Sequence, residues 1–201
     1  MKNNTSIWSY LFQPFRFIAG RESLIAGVVV LIALALVGYW SYTFLDGVLD
    51  VHMGCLDEQA SLLTNASCVF ISWAVAVLVF FFTAKILSQS AVRLIDMAGT
   101  MAVAKYPFLF AVLIGFIPQI HFCANGLNGL DINALLVYMQ ENWLWMSIGS
   151  GIMAITAIWS IFLMYNAYSI SGNLKGTKGI VSFIVALFVA EVISKIVLML
   201  I

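Results

Sequence analysis

In 201 residues the chain carries 63% hydrophobic and 9% charged side chains, with a formal net charge of zero and a mean hydropathy of +1.05. Soluble domains run at about 45 to 50% apolar and about 25% charged, so the composition excludes a water-soluble globular protein and leaves an integral membrane protein of one bundle. A neutral balance gives no electrostatic footprint for nucleic acid, and the position of the few charges carries the information instead.

The first 22 residues are aromatic and basic. Trp8, Leu11, Phe12, Phe15 and Ile18 recur at helical spacing, with Ser9, Gln13 and Arg16 on the other side. This predicts a helix lying in the membrane interface, bent or restarted at Pro14, serving as an anchoring belt or as a partner-binding surface. Ala33-Leu34-Ala35 imitates a signal cleavage site, but the apolar run continues through Tyr42, so cleavage would leave a hydrophobic stub.

A helix needs about 20 mostly apolar residues to cross roughly 30 Å of hydrocarbon. Five stretches qualify, at about 23–44, 68–87, 106–123, 143–168 and 180–201. The expected fold is therefore an all-α membrane bundle of five transmembrane helices. Between the second and third spans, residues 91–105 hold Arg93, Asp96 and Thr100 on one stripe of a helix otherwise built from Ala91, Ala98, Gly99, Ala102 and Ala104. A short helix on the cytoplasmic side is expected there, close-packed or re-entrant, with Arg93 and Asp96 paired at i, i+3. Small residues also recur every fourth position in the fifth span, at Ser182, Ala186, Ala190 and Ser194, and at Ser147 and Gly151 in the fourth. The short connection 171–179 makes these two spans expected antiparallel neighbours.

Charge segregation sets the orientation. Lys2, Arg16, Arg21, Lys85, Arg93, Lys105, Lys175 and Lys178 fall in three stretches, while the alternate connections hold Asp46, Asp50, Asp57, Glu58, Asp131 and Glu141 and no Lys or Arg. The positive-inside rule then puts the N-terminus in the cytoplasm and the C-terminus outside.

Glu191 is the costliest residue. Counted from Ile180 it lies roughly 16 Å deep, where a charge costs about 2.5 to 3.5 kcal/mol on insertion scales. Lys195 follows one turn later, so the two read either as an internal ion pair or as a proton- or ion-handling site, with Ser160 and Thr156 of the fourth span as further polar partners. In the outer connections Asp46, Asp50 and His52 lie close together, and His121 and Cys123 mark another outer helix end. Carboxylate, imidazole and thiolate all bind divalent metals, though no zinc-like cysteine spacing is present, and the aspartates equally suit a solvated loop. Of the three cysteines, Cys55 and Cys68 are placed to pair in an oxidising periplasm, leaving Cys123, or all remain reduced. Phosphate-binding glycine loops, His-Glu-x-x-His and Gly-x-Ser-x-Gly are absent from the sequence.

Five spans, the start Leu11-Phe12-Gln13-Pro14-Phe15, the segment Arg93-Leu94-Ile95-Asp96-Met97-Ala98-Gly99-Thr100 with Lys105-Tyr106-Pro107, and the outer run Leu45-Asp46-Gly47-Val48-Leu49-Asp50-Val51-His52 together resemble the Yip domain family in its short bacterial form. The resemblance implies a five-span fold in a bacterial cytoplasmic membrane and little about activity. Rab binding does not carry over, because the long hydrophilic N-terminal domain is missing.

Three classes follow. The expected one is a non-catalytic membrane protein that organises lipid or partner proteins, including copies of itself, with no cofactor. The second is a small ion or solute transporter using Glu191 and Lys195. The third is a membrane-embedded metal-dependent enzyme using Asp46, Asp50 and His52.

Overall fold

A computed structural model describes residues 7–56, 60–122 and 132–200. The chain opens with α1 (Ile7–Phe12) and a single 3-10 turn, Pro14–Arg16, and then enters α2 (Gly20–Trp40). A short antiparallel ladder, β1 (Thr43–Phe44) and β2 (His52–Met53), pairs Thr43 with Met53 and Phe44 with His52 and so closes the loop 45–51. Next come α3 (Leu62–Leu87), α4 (Leu94–Val103), α5 (Phe108–Ile114), α6 (Ile132–Glu141), α7 (Trp143–Ser171) and α8 (Gly176–Met199). Among the described residues five lengths are long and apolar enough to cross a membrane: α2, α3, Leu94–Ile114, α7 and α8. The protein is a multi-pass, helical membrane protein.

The third of these lengths shifts the expected third span at 106–123 and takes in the short cytoplasmic-side helix expected at 91–105, whose expected close packing is present. Here α4 forms the first half of the length Leu94–Ile114, continued by α5 after turns at 104–107. The cause is the row of small residues. A side chain at Gly27 of α2 would overlap Ala102, and one at Gly99 would overlap Ser23, so the backbones of α2 and α4 touch where glycine allows it. Most of Leu94–Ile114 is inside the protein, whereas each of the other four lengths turns most of its surface outward.

The expected neighbours α7 and α8 are in contact, but α7 is not the main partner of α8. Ser182, Ala186, Ala190 and Ser194 are all buried, but α8 packs chiefly on α3 and only lightly on α7. Phe80 of α3 stacks on Phe183 of α8, with ring centroids 5.4 Å apart, and Tyr168 of α7 reaches across to donate to Ser182 Oγ at 2.9 Å. In its turn α7 packs on α4 and α5, and α6, which the sequence reading did not anticipate, leads into it through Asn142.

The N-terminal segment is docked on the bundle. Both Tyr106 Oη and Trp159 Nε1 donate to the carbonyl of Leu11, the latter at 3.4 Å, and Phe12 packs on Trp159 at 5.3 Å. Trp159 is 12 residues before the end of α7, about 18 Å along the helix axis. Phe15 is buried, while Ile7, Trp8 and Tyr10 remain exposed. The aromatic spacing thus docks the segment along α7 rather than floating it at the bundle's edge.

Cys55 is disulfide-bonded and Cys68 carries a free thiol, so a Cys55–Cys68 bridge does not form. Cys123, Asp57, Glu58 and Asp131 lie outside the described residues.

Candidate functional site

The densest chemistry surrounds the loop 45–51. Its apolar side chains build core: Val48 is fully buried beside Phe80, Met97 and Met101, while Leu45 and Val51 pack with Leu31, Val69 and Phe108. The loop therefore folds into the bundle, and its irregular backbone must find hydrogen bonds there. Non-helical backbone at membrane depth is tolerated only where protein or a wet cavity satisfies it.

Two ionisable side chains do this. Lys105, 1% exposed and near the middle of Leu94–Ile114, directs Nζ to the carbonyl oxygens of Val48 at 3.1 Å and Gly47 at 3.5 Å. The Leu49 N–H donates to Glu191 Oε2 at 3.0 Å. Glu191 also presses on Gly47, where a larger side chain would overlap Oε1, so it and the Lys105 ammonium meet the same residue of the loop. A lone buried charge costs several kcal/mol, but a cation on two carbonyls and an anion on an N–H, each near the other, offset most of that.

Glu191 therefore faces protein but does not pair with Lys195, which corrects the expected i, i+4 pair. Lys195 donates to Asp46 Oδ2 at 3.0 Å and to Asp50 Oδ2. Ser160 and Thr156, the other expected partners of Glu191, bond elsewhere: Ser160 donates to the Ala104 carbonyl at 2.9 Å and Thr156 to that of Met153 at 2.9 Å. The reason is position, since α8 meets the rest of the bundle chiefly through α3 and, at Glu191, through the loop, while its contacts with α7 lie at the other end, around Ser182 and Phe183.

The remaining polar groups of the loop form an ionic chain. His52 Nδ1 lies 3.1 Å from Asp46 Oδ1, while Lys195 holds the other oxygen of the same carboxylate. Partial burial opposes charge on Asp46, but the hydrogen bonds with His52 and Lys195 outweigh it and hold the carboxyl at about 2. The Asp46 bond pushes the His52 imidazole above its ordinary value, against a smaller opposing effect of burial. Asp46, Asp50 and His52 offer ligand atoms within 4.8 Å of one another, as a metal would require. The Lys195 ammonium, however, already bridges both carboxylates, supplying the positive charge that a cation would bring. His121 stands apart, its ring nitrogens each 2.7 Å from a carbonyl oxygen, those of Gly54 and Gly115.

At the other end of the bundle, Arg93 makes a two-pronged contact with Asp96, Nε to Oδ2 at 2.6 Å and Nη2 to Oδ1 at 3.0 Å. Thr100 Oγ1 meets Ser171 Oγ at 3.0 Å and so ties α4 to the end of α7.

Sequence reasoning counted Lys105 among the cytoplasmic charges that set the orientation and missed it as the loop's buried anchor. The usable signal was the small, uncharged run 97–104, which joins Lys105 to a crossing that starts at Leu94. No family model matches the chain, and no curated protein or solved structure matches it either.

Proposed function

We propose that the chain is a non-catalytic multi-pass membrane protein of the Yip type, set in a bacterial cytoplasmic membrane with its N-terminus inside and its C-terminus outside, that organises lipid or partner proteins. One observation supports this above others: Lys105, Glu191 and Lys195 are all engaged in holding the chain's own loop. Side chains committed to stapling a loop are poorly placed to turn over a substrate. The orientation is supported by the gathering of Arg21, Lys85, Arg93, Lys175 and Lys178 at the helix ends opposite Asp46 and Asp50. A reporter active only in the cytoplasm, fused after Ile201, is expected to stay silent; strong signal would reverse the assignment.

The second reading, a small ion transporter, is favoured by one specific feature: Lys105 and Glu191 both reach the loop 45–51 beside the point where the third crossing is interrupted, and broken helices at mid-depth are where transporters place ion sites. Proteoliposomes loaded with a pH-sensitive dye separate the two. No proton or sodium flux above that of empty vesicles is expected. A flux that Lys105→Met abolishes would replace the first reading with the second.

A further inference from the structure

A cleft of about 340 Å³ opens between the end of α3 and the start of α8, lined by Gln89, Ser90, Asn173, Lys175 and Lys178 over a floor of Leu87 and Leu174. We infer that this cleft binds the phosphate headgroup of an anionic glycerophospholipid, of the phosphatidylglycerol class. The inference deepens the lipid-organising reading above and rests on it only in placing this end of the bundle in the headgroup layer.

Four observations carry it. The lining holds two lysines and no acid; Asp96, the acid of α4 at this end, is occupied by Arg93, and Glu22 belongs to α2. Lys178 Nζ donates to the Leu87 carbonyl at 2.8 Å, which fixes the ammonium at the cleft wall and leaves two of its N–H bonds for a ligand. The walls are pinned together, since Asn173 Nδ2 donates to Ser90 Oγ at 2.8 Å and the Ser90 N–H donates to Ser88 Oγ at 3.1 Å. The Ser90 hydroxyl proton and the exposed Gln89 amide are then available to glycerol hydroxyls and phosphate oxygens.

Depth selects a lipid over a soluble phosphate. Lys178 lies in the first turn of one membrane-crossing helix and Leu87 ends another, which is the level of lipid headgroups. Below the cleft, Ile86 and Val181 are exposed and apolar, so acyl chains attached to a bound headgroup have a surface to follow.

The test uses the full chain in mild detergent, titrated with phosphatidylglycerol or phosphatidylcholine and followed by native mass spectrometry. Phosphatidylglycerol is expected to bind in preference, and K175Q/K178Q to weaken it about thirtyfold, from about tenfold for each two-thirds of the combined electrostatic contribution of two headgroup-level lysines. The control R16Q/K85Q removes the same charge outside the cleft and is expected to change binding less than threefold. Lys175→Gln alone alters an exposed side chain, so it reports on binding even where the double variant fails to fold, with a loss of about fivefold. Equal losses in K175Q/K178Q and R16Q/K85Q would overturn the site in favour of diffuse charge. Competition by soluble glycerol phosphate at lipid-like concentration would overturn the lipid as its ligand. A proton flux in the vesicle assay would displace the functional reading above and leave this site standing.

Discussion

Two short segments outside the five long lengths enter the bundle from opposite ends and are received by adjacent residues at the break in the third crossing. The N-terminal segment is held through the Leu11 carbonyl by Tyr106 and Trp159, and the loop 45–51 is held through Gly47, Val48 and Leu49 by Lys105 and Glu191. One anchorage is neutral and aromatic, the other ionic. Neutral donors lose little on burial and gain packing area, whereas charges recover their desolvation cost only while every partner stays in place. The loop should therefore be the more brittle of the two, although it is also the better packed.

Removing Lys105 tests this most severely. Lys105→Met is expected to lower stability by about 3 kcal/mol or more, because two carbonyls lose their donor and Glu191 loses its nearby positive charge. Thermal unfolding in detergent measures it, and a loss under about 1 kcal/mol would erase the contrast between the segments. Glu191→Leu is expected to cost about 2 kcal/mol by orphaning the Leu49 N–H, while Glu191→Gln keeps an acceptor and costs less than about 1 kcal/mol. Adding Lys195→Met to Glu191→Leu should not restore stability, since Lys195 answers to Asp46 and Asp50. Adding Lys105→Met should instead cost less than the sum of the two single changes; additivity would show that Lys105 and Glu191 are independent. On the neutral side, Tyr106→Phe and Trp159→Phe are each expected to cost about 1 kcal/mol, and the pair more than the sum, because the Leu11 carbonyl then has neither donor.

The same contrast explains what could be read from the chain. Long apolar runs announce crossings by length alone, so α2, α3, α7 and α8 stand in the structure close to where hydropathy puts them. The third crossing was displaced because Arg93, Asp96 and Lys105 bracket its first half and read as the charged edge of a cytoplasmic connection. Ala98, Gly99 and Ala102 were legible as a close-packing surface, and in the structure Gly99 and Ala102 meet α2. Glu191 was legible as a residue that must face protein, but its partner was not. A backbone N–H 142 positions away leaves no trace in helical spacing. Asp46, Asp50 and His52 were legible as a cluster, since they are neighbours in sequence, whereas the Lys195 ammonium that joins them arrives from the far end of the chain. Arg93 and Asp96 lie within one helical turn, and their contact is of the kind that spacing can express.

The smallest expected effect concerns pH and sharpens the view of the loop as doubly anchored. His52 has its pKa raised above the ordinary 6.5 by Asp46, so the stability it contributes is complete below 6.5 and is lost as pH rises through the raised value. Asp46 runs the other way: held at about 2 against an ordinary 3.8, its contribution is present above 3.8 and lost only as pH falls through about 2. Between those limits both are charged and the pair is intact. His52 has half of its side chain exposed, so solvent screening reduces its share to a few tenths of a kcal/mol. Raising pH from 6 to about 8.5 should thus slightly lower the hydrogen-exchange protection factors, taken against the intrinsic rates at each pH, at the amides of β1 and β2, while that of Leu49, held by Glu191 on the other side of the loop, stays unchanged. His52→Gln should abolish the pH response at the ladder without touching protection at Leu49. A loss of protection at both places on raising the pH would show that the outer ionic chain and the inner staple open as one unit, and that the loop has a single anchorage rather than two.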